Sequence, residues 1–142
     1  MTPAPLPPEL LAADSQLVAH IRATWPHTLA IYAFGSQVQG TAGPESDLDL
    51  GVLVAGYADP LQLWDERFAL ETIAGLPVDL LDLRAASTVM QCQVINTGRL
   101  LWGQQPDAAL FECFVMREKY DLDIRRRAQM EDILREGTVY GR

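Results

Sequence analysis

One stretch of the chain, FGSQVQGTAGPESDLDLGVLV at residues 34–54, combines residue types that can carry out chemistry on a phosphate. Gly35 and Ser36 form a small-residue turn before a helix-like segment, and after ten intervening residues Asp47 and Asp49 begin an apolar run. Because side chains alternate along a strand, the two carboxylates share one face, with Cα atoms about 6.6 Å apart. Such a pair can hold hard divalent cations, and a Gly-Ser turn at a helix start can bind a phosphate.

An Asp-x-Asp pair by itself is common at the end of a surface turn, so its surroundings decide how it is interpreted. The apolar run LAIYAF leads into Gly35, and a second run, LGVLV, follows Asp49. Carboxylates at the head of a hydrophobic strand are costly to bury unless a cation compensates their charge. The pattern therefore predicts a site for a metal ion and a nucleotide.

A two-metal centre needs a third carboxylate, and the segment LPVDLLDL offers two candidates. Asp79 and Asp82 are three residues apart and therefore lie on opposite faces of a strand. If this strand neighbours the one that begins at Asp47, Asp79 can reach the same ions, whereas Asp82 is expected to cap a turn or form an ion pair. We therefore predict that Asp47, Asp49 and Asp79 are the metal ligands and the catalytic residues.

The expected metal is Mg²⁺, because it prefers oxygen ligands together with substrate phosphates. Two such ions about 3.5–4 Å apart would activate an attacking hydroxyl and stabilise a leaving pyrophosphate. Gly35 would let the backbone approach the phosphates, Ser36 would offer its hydroxyl, and the amides at the helix start would face the negative charge. The predicted reaction is nucleotidyl transfer with a nucleoside triphosphate as co-substrate.

Helix and strand patterns alternate along the chain. Capping signals at Asp59 and Ser87, and stop signals at Gly75 and Gly98, separate the elements. The predicted order is a helix at 9–25, a strand at 29–34, a short helix to 39, a strand at 47–54, a helix to 75, a strand at 77–83, a helix at 87–97, a strand at 99–102 and a helix from 107. This order predicts an α/β (α+β) fold with a small mixed β-sheet of about four strands and helices packed on it. We expect a Pro-rich tail at 1–8 and a single domain at 9–142.

Composition limits the class of partner. The formal net charge of −8 argues against direct binding of nucleic acid and suits a basic protein partner better. The N-terminus has four prolines and neither a basic n-region nor an apolar h-region, so no signal peptide or membrane anchor is predicted and a cytoplasmic location is expected. Cys92 and Cys113 have no CxxC spacing and are expected to be reduced, structural thiols.

The residues that carry this prediction resemble a known family. Gly35-Ser36, the pair Asp47 and Asp49, and Asp79 on a later strand resemble the signature of the DNA polymerase beta-like nucleotidyltransferase superfamily. The short chain and its SDLDL and VDLLDL segments more narrowly resemble the minimal nucleotidyltransferases called MntA-type antitoxins. This resemblance implies a Mg²⁺-dependent enzyme that moves AMP from ATP to a tyrosine of a cognate HEPN-domain ribonuclease toxin and so inactivates the toxin.

One position departs from the family pattern and leaves alternatives open. Many relatives carry an arginine four residues after the motif glycine, where this chain has Gln39. Arg84, Arg99 or a residue of the partner could replace that charge. Two other functions remain: a small-molecule nucleotidyltransferase of the aminoglycoside type, which generally has extra C-terminal helices, and an antitoxin that binds its toxin without chemistry. A polymerase is disfavoured because an acidic surface repels a template.

The remaining features are expected to be structural. Arg22 and His27 have the spacing of a HEPN ribonuclease site, but Pro26 would break the helix that such a site needs. His20 is expected to be solvated. Arg125–Arg127 are expected to form a solvated face that nearby carboxylates neutralise, namely those of Asp121, Asp123 and Glu131. Core positions are expected for Trp64, Trp102 and the last helix's stripe of Leu110, Phe111, Phe114 and Val115.

Overall fold

The structure is a computed structural model that describes residues 6–43 and 46–140, with side chains described up to residue 136. Its four strands are β1 (Thr28–Phe34), β2 (Leu48–Val54), β3 (Val78–Asp82) and β4 (Arg99–Gly103). The helices are a 3₁₀ turn (Pro8–Leu11), α1 (Gln16–Thr24), α2 (Ser36–Gln39), α3 (Pro60–Ala74), α4 (Thr88–Thr97) and α5 (Asp107–Tyr140). The predicted α+β fold with a four-stranded mixed sheet is confirmed.

The sheet order β3-β2-β1-β4 decides which residues meet at its edge. β1 pairs antiparallel with both β2 and β4, whereas β2 and β3 pair in parallel. A parallel pair needs a long crossover connection, and α3 with its 15 residues provides it. In this register Asp49 lies opposite Phe34 on one side and Asp79 on the other.

Both faces of the sheet are covered by helices, and each has its own apolar core. One face packs against α1 and α3, with Ile31, Leu50 and Val52 from the strands. The other face packs against α4 and α5, with Tyr32, Phe34 and Leu53 from the strands. The alternation along β2 therefore puts even-numbered residues on the α1/α3 face and odd-numbered residues, including Asp49, on the α4/α5 face.

Four of the five predicted helix starts agree with the structure to within about one residue, two of them at capping side chains, and the first does not. Asp59 accepts a hydrogen bond from the Leu61 amide, and Ser87 accepts one from the Met90 amide. The single helix predicted at 9–25 is wrong, because the Ser15 hydroxyl accepts a hydrogen bond from the Val18 amide at 3.2 Å and starts a separate helix there. A capping serine satisfies an otherwise unpaired amide of the first turn and so fixes where the helix begins.

Several expected core or solvated positions differ in the structure. In α5, Phe111 and Val115 are buried, but Leu110 and Phe114 are 61% and 55% exposed. Residues one apart on a helix point about 100° apart, so a helix that lies on a sheet buries only one of these two pairs. The predicted core position of Trp64 is also wrong, since that side chain is 55% exposed. Trp102 is half-buried beneath the Arg22 guanidinium.

Three polar predictions also need correction. His20 is not simply solvated, because its Nδ1 lies 2.8 Å from a carboxylate oxygen of the buried Glu66 on α3. Cys92 is buried as expected, but Cys113 is exposed. The expected neutralisation of Arg125–Arg127 is absent from the described residues, because Asp123 pairs with Lys119 instead and neither Asp121 nor Glu131 forms an ion pair.

None of the helices in the described ranges combines the length and the apolar character that crossing a membrane would require.

Candidate nucleotide and metal site

The site begins where β1 ends in a turn at Gly35. This residue has a φ of 79° and a ψ of −161°, a conformation essentially restricted to glycine, and it precedes α2. A Cβ atom at residue 35 would lie 2.2 Å from Oδ2 of Asp49. The glycine therefore lets the turn and the carboxylate approach each other directly. Ser36 starts α2, and the amides of a first helical turn have no intrahelical acceptor, so they are available to an anion.

The three predicted carboxylates are brought to the same end and the same face of the sheet. Asp49 and Asp79 are opposite each other in the parallel pairing of β2 and β3, and residues paired in this way share a face. Asp47 directly precedes β2 and is exposed, as is Asp79, while Asp49 is half-buried. This end of the sheet also carries the Gly35 turn, because Phe34 pairs with Asp49.

The charges of these carboxylates act on one another. The pKa of Asp49 is raised above its ordinary value, mainly because burial disfavours the ionised form, and further because the Asp79 and Asp47 carboxylates lie nearby. Among the described residues, no basic side chain forms an ion pair with Asp47, Asp49 or Asp79. A bound cation would reverse both effects.

The donor set suits one class of metal better than others. In the ranges 6–43 and 46–140, no three His, Cys, Asp or Glu side chains are arranged closely enough to enclose a metal ion by themselves. Closed sites of that kind are typical of structural zinc, whereas Mg²⁺ uses one or two carboxylates and completes its shell with water and substrate phosphates. Open carboxylates beside a turn without a side chain therefore fit Mg²⁺ that arrives with a nucleotide.

Asp82 has a different role from Asp79. Its carboxylate is buried on the α1/α3 face, where it accepts hydrogen bonds from the amides of Ala58 at 2.9 Å and Arg84 at 3.0 Å. These bonds tie the end of β3 to the segment before α3. Asp82 thus caps a turn, as expected from the sequence, and takes no part in the carboxylate cluster.

Neither Arg84 nor Arg99, which could replace the missing family arginine, forms an ion pair with a carboxylate of the described residues. The Arg84 guanidinium donates to the carbonyl oxygen of Val54, at the opposite end of β2. Arg99 pairs with Ala33 in the sheet and so lies on the α1/α3 face, away from Asp49. Gln39 is exposed at the end of α2.

Gln37 supports the site through a hydrogen bond that the sequence did not predict. The side-chain amide of Gln37 donates to the carbonyl oxygen of Ser46 at 3.4 Å, and the Ser46 hydroxyl accepts a hydrogen bond from the Gly43 amide at 2.7 Å. These contacts hold the residue before Asp47 against α2, which carries the phosphate turn. A glutamine within a short helix gives no sequence signal for such a contact.

Comparison with known proteins agrees with this geometry. Residues 17–107 match the family model described as polymerase beta, nucleotidyltransferase. The chain is 36% identical to protein adenylyltransferase MntA of Shewanella oneidensis over 121 residues, which is 85% of this chain and 87% of that protein.

Solved structures are similar as well. A chain in the crystal structure of a toxin-antitoxin with AMP-PNP is 36% identical with a TM-score of 0.74, covering 83% of this chain and 95% of that chain. A rebuilt and re-refined structure of a tri-AMPylated Shewanella oneidensis HEPN toxin in complex with MNT antitoxin contains a chain that is 34% identical. Its TM-score is 0.69, with 84% of this chain and 93% of that chain covered. On its sequence, its sheet topology and these likenesses, the chain belongs to the polymerase beta nucleotidyltransferase family and, within it, to the minimal nucleotidyltransferases of the MntA type.

Proposed function

We propose that this chain is the antitoxin of a HEPN/MNT pair and a protein adenylyltransferase, which moves AMP from ATP to a tyrosine of its HEPN toxin and thereby neutralises the toxin. The observation that carries the proposal is the direct approach of Gly35 to the Asp49 carboxylate, with Asp79 opposite Asp49 in the sheet. The 36% identity to an MntA protein adenylyltransferase supports the same reaction, and the toxin complexes support the same class of partner.

Each residue of the site has a role in the proposed reaction. Asp47, Asp49 and Asp79 would hold two Mg²⁺ ions, which when bound stabilise the phosphate charge and lower the pKa of the attacking hydroxyl. Gly35 leaves room for the triphosphate beside the backbone, and the Ser36 hydroxyl can donate to a phosphate oxygen. The tyrosine oxygen of the toxin attacks the α-phosphorus, the bond from that phosphorus to pyrophosphate breaks, and the phenolic proton leaves to solvent.

The proposal extends to the cell and to the chain as a whole. The chain would act in the cytoplasm, where ATP and a toxin made beside it are both present. Residues 9–142 would act as one domain, since the helices and strands pack into two cores that share one sheet. The acidic chain would bind its toxin and not nucleic acid directly.

One alternative function has a specific observation in its favour. Residue 39 is a glutamine where many relatives carry an arginine, and the Arg84 guanidinium donates to the carbonyl oxygen of Val54 instead, as expected for an antitoxin that only binds its toxin.

A transfer assay tests the proposal. The protein is incubated with ATP, Mg²⁺ and the HEPN protein encoded beside it, and intact-mass spectrometry of that protein reports AMP adducts. We expect adducts with the wild type and a loss of more than about 100-fold in rate with Asp49→Asn, because the carboxylate holds the metal. Asp65→Asn, which removes an exposed carboxylate from α3, is the matched control and keeps the wild-type rate. Toxin neutralisation by the wild type without any adduct would identify the binding-only antitoxin.

A further inference from the structure

The last helix is much longer than the sheet on which it packs. α5 contains 34 residues, about 51 Å at 1.5 Å per residue, whereas a seven-residue strand spans about 24 Å. Its buried side chains, Ala108, Phe111 and Val115, all lie in its first third. Every side chain at residues 123–136 is exposed. We call this exposed segment, residues 123–136, the distal arm.

The direction of α5 brings the distal arm to the end of the sheet that carries the carboxylates. The helix starts at the other end, where Ala108 lies against Gly103, and it passes the middle of β1 where the Tyr32 hydroxyl donates to Glu112. Asp49 pairs with Phe34, two residues or about 7 Å further along β1 than Tyr32, in the direction in which α5 runs. The direction of α5 therefore carries the distal arm toward the end of the sheet that holds Asp49.

The surface of the distal arm has the composition of an interface. Met130, Ile133 and Leu134 have the spacing i, i+3, i+4 and share one side of the helix, with exposures of 56%, 61% and 74%. Arg125, Arg126 and Arg127 form no ion pair with any described residue. Four arginines balance four carboxylates in the arm, so the net charge of −8 lies wholly on the rest of the chain. This is a surface from which the charge of the chain does not repel the carboxylates of a partner.

A second exposed apolar surface lies elsewhere. Leu61, Trp64 and Phe68 of α3 are exposed on the α1/α3 face, and α3 begins after the end of β2 that is distant from Asp49. A protein bound there would be separated from the nucleotide by the sheet. A protein whose tyrosine receives AMP must instead reach the end of the sheet at Gly35 and Asp49.

We infer that the distal arm is the docking surface for the protein acceptor, and that it binds a helical face with apolar side chains and with carboxylates that pair with Arg126 and Arg127, which flank the apolar side of the arm. The inference rests on the proposed function for the identity of the acceptor. Apolar contacts with Met130, Ile133 and Leu134 supply the affinity, and the arginines set the orientation. The position of the arm then presents the acceptor tyrosine to the nucleotide held beside Asp49.

Two leucines of equal exposure provide the test. Leu134 in the arm and Leu61 on α3 are both 74% exposed on helices. The affinity for the HEPN protein encoded beside this chain is measured by calorimetry, without nucleotide, for wild type, Leu134→Glu and Leu61→Glu. We expect Leu134→Glu to raise the Kd at least about tenfold and Leu61→Glu to change it less than about twofold. Arg126→Gln, which removes a charge without disturbing the helix, should raise the Kd about three- to tenfold.

Each outcome decides the inference. Wild-type affinity in both arm variants would overturn it, and so would loss of binding confined to Leu61→Glu. If the free protein is a dimer that Leu134→Glu converts to a monomer with unchanged toxin affinity, the arm binds a second copy and the inference is wrong. The proposed function is tested separately, since absence of AMP transfer by the wild type would refute it even where the arm variants fail to bind.

Discussion

A methyl group at residue 35 would overlap the Asp49 carboxylate, and this contact can be tested against a glycine that lacks it. Gly35 and Gly40 have φ values of 79° and 78°, but Gly35 also has a ψ of −161°, which is essentially restricted to glycine, and nothing lies within 4 Å of the position that a Cβ atom would take at Gly40. We expect Gly35→Ala to reduce AMP transfer more than about 100-fold and to lower stability by about 2–3 kcal/mol. Gly40→Ala should cost about 1 kcal/mol and keep the transfer rate. Equal loss of activity in both variants would show that positive φ alone is responsible, and neither the Asp49 contact nor the ψ of Gly35.

A second prediction for a single residue concerns Gln39, which lacks the positive charge of the family's arginine. Gln39 is exposed at the end of α2, beside the phosphate turn. Gln39→Arg should lower the KM for ATP about three- to tenfold, because a guanidinium there can pair with the triphosphate. Gln93→Arg on α4 makes the same change of charge at another exposed position and should leave the KM unchanged. If both variants lower the KM equally, only the net charge of the chain matters.

At the scale of elements, β3 carries two carboxylates with separable roles. Asp79 faces the site, whereas Asp82 accepts two backbone hydrogen bonds on the buried face. Asp79→Asn should reduce the transfer rate more than about 100-fold with a change in stability below about 0.5 kcal/mol. Asp82→Asn should lower the free energy of unfolding by about 2 kcal/mol, since a buried amide loses its acceptor, while the folded fraction keeps its activity. Urea unfolding and the transfer assay on each variant separate the two effects. Loss of stability in Asp79→Asn together with loss of activity alone in Asp82→Asn would contradict these roles.

The hydrogen bond between Tyr32 of β1 and Glu112 of α5 should make the stability of the protein depend on pH in alkaline solution. Burial raises the pKa of Tyr32, and so does the Glu112 carboxylate that accepts its hydrogen bond. The folded state therefore keeps Tyr32 neutral, and its stabilising effect is complete below pH 10 and is lost as the pH rises above 10 towards the raised pKa. The free energy of unfolding, measured in urea from pH 8 to 11.5, should decline by up to about 1.4 kcal/mol per pH unit because of this group. This decline should be absent in Tyr32→Phe. Tyr57→Phe, at a tyrosine that is 72% exposed, should leave the decline unchanged.

Features that depend on residues close together in sequence were easier to predict than features that depend on contacts between distant segments. The caps at Asp59 and Ser87 are local and were predictable, whereas the start at Ser15 was obscured by apolar residues that continue the helical spacing in both directions. The cluster of Asp49 with Asp79 is non-local, and the preference for Asp79 over Asp82 needed the assumption that the two strands are neighbours as well as the alternation of side chains along them. The exposed half of α5 was not predictable, because helical periodicity does not reveal whether the partner of an apolar side belongs to the same chain.

At the scale of the whole molecule, the backbone amides in the two halves of α5 should differ in their protection from hydrogen exchange. A helical segment that packs on nothing is only marginally stable, so the backbone amides of the distal arm open without unfolding the sheet. In hydrogen exchange of the free protein, they should exchange about tenfold or more faster than those around Phe111 and Val115, which are buried. Addition of the HEPN protein should remove this difference. Equal protection in the free protein would mean that the arm is already covered by another copy of the chain.

The raised pKa of Asp49 has a thermodynamic consequence for the folded chain. Folding partly buries Asp49 and brings Asp79 beside Asp49 and Asp47, and both changes disfavour the ionised form of Asp49 in the folded chain. A ligand that binds only the folded chain stabilises it by RT ln(1 + [L]/Kd), and a cation-nucleotide complex would in addition relieve the repulsion between these carboxylates. Under the proposed function the melting temperature depends on the nucleotide supply, so that a fall in ATP would reduce the folded population of the protein as well as its substrate.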